Sequence, residues 1–150
     1  MSKRALCIGI NDYPGTGSDL SGCVNDCNDW AAALAARGFN VTKLLDAQAA
    51  KAAMVAAIGD VVGNAAKGDT AIITYSGHGT WVPDQSGDEP DGRDEALCPW
   101  DIGTTGAVLL DDEIHGLFSH RNAGVRVVLI SDSCHSGSVT RGDESDLDPN

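Results

Sequence analysis

The sequence predicts an α/β fold in which a mostly parallel sheet carries helices on both faces. Four segments have the apolar, non-alternating composition of buried strands. Segments with helical periodicity alternate with them, and this alternation is typical of parallel sheets. The length of 150 residues and the 42% hydrophobic content suit one domain with a core, so we assign residues 1–150 to a single domain.

The predicted strands and helices follow from local patterns. Apolar runs mark the strands, which we place at residues 5–10, 39–45, 70–76 and 125–130. We place helices at residues 22–36, 48–66 and 111–120. They are indicated by the helical spacing of apolar residues, by a glycine that ends the helix after Arg37, or by acids in the first turn. No run reaches the roughly 18 residues of a membrane span.

Residues 77–106 are rich in glycine, proline and acids, which predicts a long acidic loop with a small hairpin as an alternative. Its part at residues 84–101, flanked by Trp81 and Trp100, is open to two interpretations. It is either a solvated surface or a segment for ion binding or activation control. Cys98 falls in this loop, where its thiol could be exposed.

The net charge of -12 argues against nucleic acid or an anionic membrane as a partner. Residues 1–75 contain seven acids and six bases, whereas residues 76–150 contain fifteen acids and four bases. A cation or a cationic substrate would therefore be drawn to the second half. The absence of a secretory start and the cysteine pattern lead us to expect a cytoplasmic protein.

A histidine and a cysteine follow two of the predicted strands. His78 lies in the sequence SGHG after the third strand, and Cys134 lies in SDSCHSG after the fourth. Ligands bind beyond the carboxyl ends of parallel strands, so these residues are expected on adjacent loops. A thiol beside an imidazole is the minimal unit of cysteine nucleophilic catalysis. The backbone amides of Gly79 and Cys134 are then candidates for an oxyanion hole.

Six segments, in order along almost the whole chain, resemble the large (p20-like) catalytic subunit of the caspase-fold cysteine peptidases, and among those the metacaspases, whose bacterial relatives share these motifs. The segments are 5–13 (ALCIGINDY), 20–26 (LSGCVND), 75–79 (YSGHG), 91–95 (DGRDE), 110–113 (LDDE) and 132–137 (DSCHSG). The resemblance implies a caspase-like three-layer α/β/α domain. It also implies an endopeptidase that cleaves after Arg or Lys, with His78 and Cys134 as its dyad.

The same resemblance implies roles for several acids. Asp26 and Asp132 would line the pocket for the basic side chain, which suits charge-assisted hydrogen bonds to a guanidinium. Many metacaspases need calcium, and the family site maps onto Asp94, Asp111 and Asp112. A further acid is expected where this chain has Arg141, with Asp143 close by.

The resemblance also implies that strands are missing. A caspase fold has six strands and we count about four, so the strands of a small (p10-like) subunit should pair beside residues 125–130. This expectation is satisfied in three ways: by a processed or truncated chain, by a separate small-subunit partner, or by self-association. Arg141 is a hypothetical site of self-cleavage, which would make the protein autoprocessing.

Simpler or competing interpretations accompany these assignments. Asp132 could merely cap a strand end, and His135 is expected to make a structural hydrogen bond. Cys23 and Cys27 are four apart on a helix, where packing is favoured over half of a metal site. The whole chain could instead be a non-enzymatic calcium-responsive or scaffold domain with an unassembled dyad. A zinc site built from His78, Cys134 and His135 is a third possibility.

Overall fold

The computed structural model describes residues 1–83 and 93–135, with side chains described for 1–80 and 95–133. Within this part of the chain the elements alternate as the sequence predicted. They are β1 (Lys3–Gly9), α1 (Cys23–Ala36), β2 (Asn40–Leu45), a 3₁₀ turn (Asp46–Ala49), α2 (Lys51–Gly63), β3 (Thr70–Pro83), β4 (Arg93–Leu97), α3 (Ile102–Thr105), β5 (Leu109–Leu110), α4 (Asp111–Ser119) and β6 (Arg126–His135).

The described strands form one six-stranded sheet of mixed direction. Parallel pairing joins β2 to β1, β1 to β3, and β3 to β6. Antiparallel pairing joins the far half of β3 to β4, and β4 to β5. The α/β class is therefore confirmed, and β4 and β5 are two strands that the sequence count of about four did not include.

Within residues 77–106 the alternative of a hairpin is confirmed by an antiparallel strand pair, and the prediction of one uninterrupted loop is wrong. β3 does not end at Ser76 but runs on to Pro83, and β4 returns beside it from Arg93. The run of Thr80, Trp81 and Val82 is β-branched or aromatic and favours a strand once an antiparallel partner is present. Residues 84–92, in the middle of the predicted acidic loop, lie outside the described residues.

Residues of β1 alternate between two apolar clusters, because successive side chains of a strand point to opposite faces. Ala5 and Cys7 pack with the buried residues of α1. Leu6 and Ile8 pack in a larger cluster with residues of α2 and α4. On α2 the buried residues are Met54, Ile58 and Val62, four apart, which is the spacing of one helix face.

Cys98 is fully buried in the larger cluster, so the prediction of an exposed thiol is wrong. Desolvation raises the pKa of this thiol to about 12. The apolar residues that enclose Cys98 come from distant parts of the chain, and its own neighbours in sequence give no sign of them. In the described part of the chain, no helix is long and apolar enough to cross a membrane.

Asp69 links the turn after α2 to the start of the chain. Its carboxylate accepts hydrogen bonds from the backbone N–H groups of Ala66 at 2.8 Å and Ser2 at 2.6 Å. The bond from Ala66 and then that from Ser2 lower the pKa of Asp69 below its ordinary value of 3.8. The ionised carboxylate therefore stabilises the folded state above that value, and this stabilisation is lost as the pH falls through the lowered pKa.

We expect Asp69→Asn to unfold at a lower temperature than the unsubstituted protein at pH 7. The difference should shrink as the pH falls below about 3.8, where the carboxylate of the unsubstituted protein becomes protonated. Thermal unfolding followed by circular dichroism from pH 7 to pH 2 measures this. Asp60→Asn, at an exposed position of α2, is the control. Equal melting temperatures for the two variants at pH 7 would contradict the assignment.

Candidate active site

His78 and Cys134 face each other across two neighbouring strands. In the parallel register of β3 and β6 their Cα atoms are direct partners. The sequence placed them on adjacent loops, and this is wrong in one respect because both lie inside strands that run beyond their predicted ends. The predicted proximity of the two residues is seen in the backbone, while the side chain of Cys134 lies outside the described set.

The imidazole of His78 is held by a backbone carbonyl. Its ring is buried, and Nε2 lies 2.6 Å from the carbonyl oxygen of Ser18. A carbonyl oxygen can only accept, so Nε2 must carry the hydrogen in the neutral ring. This tautomer leaves a lone pair on Nδ1, and the carbonyl dipole also stabilises the imidazolium that forms when Nδ1 takes a proton.

Hydrogen bonds within the loop between β1 and α1 fix the position of Ser18. Thr16 Oγ1 donates to the carbonyl of Tyr13 at 2.7 Å, and the N–H of Ser18 donates to Thr16 Oγ1 at 3.0 Å. Asp19 accepts from the N–H of Tyr13 at 2.8 Å. The φ angle of Gly17 is +69°, which glycine adopts without steric cost.

Two tyrosines contact the backbone of His78. The N–H of His78 donates to the hydroxyl of Tyr13 at 2.9 Å, and the hydroxyl of Tyr75 donates to the carbonyl of His78 at 2.6 Å. The ring of Tyr13 also packs on the imidazole, with centroids 5.0 Å apart. A Cβ atom on Gly77 would lie 2.6 Å from both hydroxyl oxygens, so glycine is the residue that fits between them.

The start of α1 is fixed by residues from other segments. Its N-cap position is Gly22, which has no side chain, and Asn11 Oδ1 accepts instead from the N–H groups of Cys23 at 2.8 Å and Val24 at 3.2 Å. Asp46, at a φ of 47°, accepts in turn from the N–H of Asn11. This arrangement sets the position of the first turns of α1.

Asp26 and Asp132 line one common pocket of about 220 Å³. Asp26 is half-buried in the first turn of α1, and Asp132 is exposed on β6. Asp29 and Trp30 contribute to the same lining. Three carboxylates and an indole around one pocket suit a cation, because carboxylates pair with it and an aromatic face attracts it.

The acids assigned to calcium are only partly described. Asp111 and Asp112 begin α4, and Asp111 pairs with His115 at 3.3 Å. The side chain of Asp94 lies outside the described residues, although its backbone is part of β4. Among described side chains no cluster of three or more His, Cys, Asp or Glu forms a metal site. Arg141 and Asp143 also lie outside the described residues.

His115, His120, Cys7 and Cys27 have the surroundings that were predicted for them. His115 and His120 are exposed on α4 and at its end. Cys7 and Cys27 are buried together in the cluster under α1, as expected for packing residues. Burial raises the pKa of Cys27 to about 12, which makes it a poor nucleophile. The side chain of His135 lies outside the described set.

Sequence reasoning missed Ser18, Tyr13, Tyr75 and Asn11 as parts of this site. Tyr13 and Tyr75 are the only tyrosines of the chain, and both lie in segments that carried the family resemblance. The position of both tyrosines in these segments was the indication that they belong to the site. Nothing in the local pattern marks Ser18, because it acts through its carbonyl group.

A mixed α/β sheet with a histidine and a cysteine in register on two neighbouring parallel strands is the arrangement of the caspase-like class of fold. The family model described as "Metacaspase, peptidase C14 domain" matches residues 3–142. The chain therefore belongs to the metacaspase family.

Several relatives are similar to the chain over most of its length. Metacaspase-4 of Arabidopsis thaliana is 39% identical over 149 residues, which are 93% of this chain and 34% of the relative. Metacaspase-1 of Cryptococcus neoformans is 40% identical, over 91% of this chain and 32% of the relative. The chain thus spans about a third of the length of these relatives.

A solved structure shows the same similarity. The crystal structure of protein GSU0716 from Geobacter sulfurreducens is 42% identical, with a TM-score of 0.77. The match covers 93% of this chain and 53% of that one.

Proposed function

We propose that this chain is the catalytic part of a cysteine endopeptidase that cleaves peptide bonds after Arg or Lys. The observation that carries the proposal is the register pairing of His78 with Cys134 on β3 and β6. The bond from the His78 ring to Ser18 supports it, since it leaves Nδ1 able to accept a proton.

In the proposed reaction, Nδ1 of His78 takes the thiol proton of Cys134 and the thiolate attacks the scissile carbonyl carbon. A C–S bond forms and the carbonyl oxygen becomes an oxyanion, for which the amides of Gly79 and Cys134 are the donors. The C–N bond then breaks, with the imidazolium giving its proton to the departing amine. Water activated by His78 hydrolyses the thioester and restores the thiol.

Asp26 and Asp132 select the basic residue in this proposal. Their shared pocket supports the assignment, because an acidic side chain would be repelled from three carboxylates while a guanidinium would pair with them. Asp26 lies in the first turn of α1, so the hydrogen bonds that Cys23 and Val24 donate to Asn11 also help to place its carboxylate.

Calcium is proposed to support the active arrangement through Asp94, Asp111 and Asp112. β4 pairs antiparallel with β5, with Ala96 opposite Leu110. Asp94 lies two residues before Ala96 on β4, and Asp111 and Asp112 directly follow Leu110, so all three acids lie toward the same end of this strand pair. Oxygen ligands from several carboxylates are the donors that calcium prefers.

A p10-like small subunit or C-terminal extension is proposed to complete the domain as a caspase-like three-layer sandwich with a mostly parallel sheet. Among the described strands β6 pairs only with β3, so its other edge is available to a further strand. Cleavage at Arg141 is proposed as self-processing, and an Arg141→Ala variant that is still processed there would contradict it.

The dyad is tested by replacing each member in the intact protein. We expect Cys134→Ala to abolish hydrolysis of fluorogenic peptides that end in Arg or Lys. His78→Ala should lower kcat by roughly 10²- to 10⁴-fold, the usual contribution of general acid–base catalysis. Cys98→Ala, which removes a buried core thiol, is the control for loss of a cysteine.

Unchanged hydrolysis by Cys134→Ala would refute the peptidase proposal. An unsubstituted protein that binds calcium but never cleaves would instead favour a non-enzymatic calcium-responsive domain. Zinc found in the purified protein and lost in His78→Ala would favour the zinc site.

Selectivity is tested at the shared pocket. We expect Asp26→Asn to lower kcat/KM for Arg substrates by roughly 10- to 100-fold, since a hydrogen bond to a charged group contributes about 1.5–3 kcal/mol. Asp29→Asn, which removes the same charge from the exposed side of this pocket, should have the smaller effect. An equal loss in both variants would contradict a specific role for Asp26.

The calcium proposal is tested by binding as well as by activity. Added CaCl2 should raise the unfolding temperature of the intact protein, because a ligand that binds the folded state stabilises it. Asp112→Asn should lose most of this rise, while Asp60→Asn on α2 should keep it. A calcium-induced rise of the same size in Asp112→Asn would contradict the assigned ligands.

A further inference from the structure

Beyond the end of β1, two tyrosine hydroxyls replace its backbone groups as hydrogen-bond partners of β3. β1 ends at Gly9, and the N–H of Ile10 makes the next bond to the carbonyl of Ser76 at 3.0 Å. Backbone groups of a strand alternate in direction, so the next groups of β3 on this side belong to His78. Its N–H meets the hydroxyl of Tyr13, and its carbonyl meets the hydroxyl of Tyr75 and the N–H of Cys98.

The direction of each hydrogen bond follows from counting protons. Tyr75 has one hydroxyl proton, and its neighbours His78 O at 2.6 Å and Cys98 O at 3.0 Å are carbonyl oxygens that only accept. That proton therefore points to the carbonyls. Because the Tyr75 proton is already used, Tyr13 must be the donor of the 3.2 Å bond between the two hydroxyls. The Tyr13 oxygen in turn accepts from the His78 N–H. The result is a closed loop that begins and ends on the His78 backbone.

This hydrogen-bond loop is buried, and its hydroxyls are protonated at neutral pH. Tyr13 and Tyr75 are each 1% exposed. Burial is the main cause that raises the pKa of both phenols well above the ordinary value of 10.0. The N–H of His78 therefore depends on the hydroxyl of Tyr13, while its carbonyl also accepts from the N–H of Cys98.

Tyr13 also holds the acceptor of the His78 ring. Its carbonyl accepts from Thr16, whose hydroxyl accepts in turn from the N–H of Ser18. The carbonyl of Ser18 then meets Nε2 of His78. Tyr13 thus helps to fix both the backbone of His78 and the Ser18 carbonyl toward which the imidazole points.

We propose that Tyr13 and Tyr75 act together as positioning residues that fix the His78 imidazole in its Nε2–H tautomer, aimed at Ser18. This inference rests on the proposed role of His78 as the base. The pair touches neither substrate nor thiol in the scheme above. It acts by holding the two peptide groups on either side of the His78 Cα, since Tyr13 bonds the N–H of the first and Tyr75 the carbonyl of the second.

The test replaces each hydroxyl in the intact protein. Tyr13→Phe and Tyr75→Phe should each lower kcat by about 10- to 100-fold and change KM by less than about twofold, because positioning affects the chemical step. The double variant should lose little more than either single one, since the loop acts as one unit. Ile58→Val, a core truncation on α2 outside the loop, should lose stability but keep kcat.

A second readout does not depend on activity. Imidazole ¹⁵N shifts of the unsubstituted protein should report His78 as the Nε2–H tautomer, and both Phe variants should show a mixture. Gly77→Ala, which inserts a methyl group between the hydroxyls, should produce the same mixture. If Tyr13→Phe fails to fold, Tyr75→Phe supplies both readouts while leaving the His78 N–H bond in place.

The outcomes separate this inference from the proposed function. If the Phe variants keep both kcat and a single Nε2–H signal, the positioning role is overturned. If His78→Ala keeps full activity, the proposed function fails, and the tautomer signal alone then decides whether the tyrosines position the ring. A loss of kcat in Ile58→Val equal to that in Tyr13→Phe would reduce the effect to general instability and overturn the proposal.

Discussion

The parallel pairing of β3 with β6 is the constraint on which the rest of the candidate site depends. It places the backbones of His78 and Cys134 opposite each other without help from any loop. Everything else around the histidine refines that placement. The carbonyl of Ser18 sets the direction of the ring, and the tyrosine hydroxyls hold the peptide where β1 no longer reaches. Strands are stiff, so a site built this way has little freedom to misalign.

The acidic residues of the described chain serve separate purposes, which the net charge alone conceals. Asp46 and Asp69 accept hydrogen bonds from backbone amides and hold segments together. Asp26 and Asp132 line one common pocket. Asp111, at the first turn of α4, lies where a helix dipole favours a negative charge. The charge asymmetry of the sequence is therefore a sum of structural and candidate functional roles.

Local sequence patterns predicted the elements whose stability is local or simply apolar. The strand at 70–76 and the helix that became α1 were found because burial leaves a clear periodicity. The continuation of β3 past Ser76 was missed, since Gly77 weakens strand propensity and the contacts with Tyr13 and β4 come from distant parts of the chain. The burial of Cys98 was missed for a similar reason, because residues far along the chain enclose it.

At the site, residue types predicted the chemistry better than the geometry. His78 and Cys134 were identified from a thiol and an imidazole that follow neighbouring strands. The supporting contacts use backbone carbonyls and hydroxyl directions, which leave no periodic trace in a sequence. Asp26 and Asp132 were paired by resemblance, and they do line one pocket, while their selectivity role stays a prediction.

The register of β3 and β6 also has a consequence for how the protein folds. His78 and Cys134 are 56 positions apart in sequence, so they meet only when the chain closes a long loop. Pairings of this kind form late and slowly compared with local contacts. A newly made chain therefore cannot hold its imidazole opposite Cys134 until β6 has docked along β3. In the proposed mechanism, catalysis by this pair therefore requires that β6 has already paired with β3.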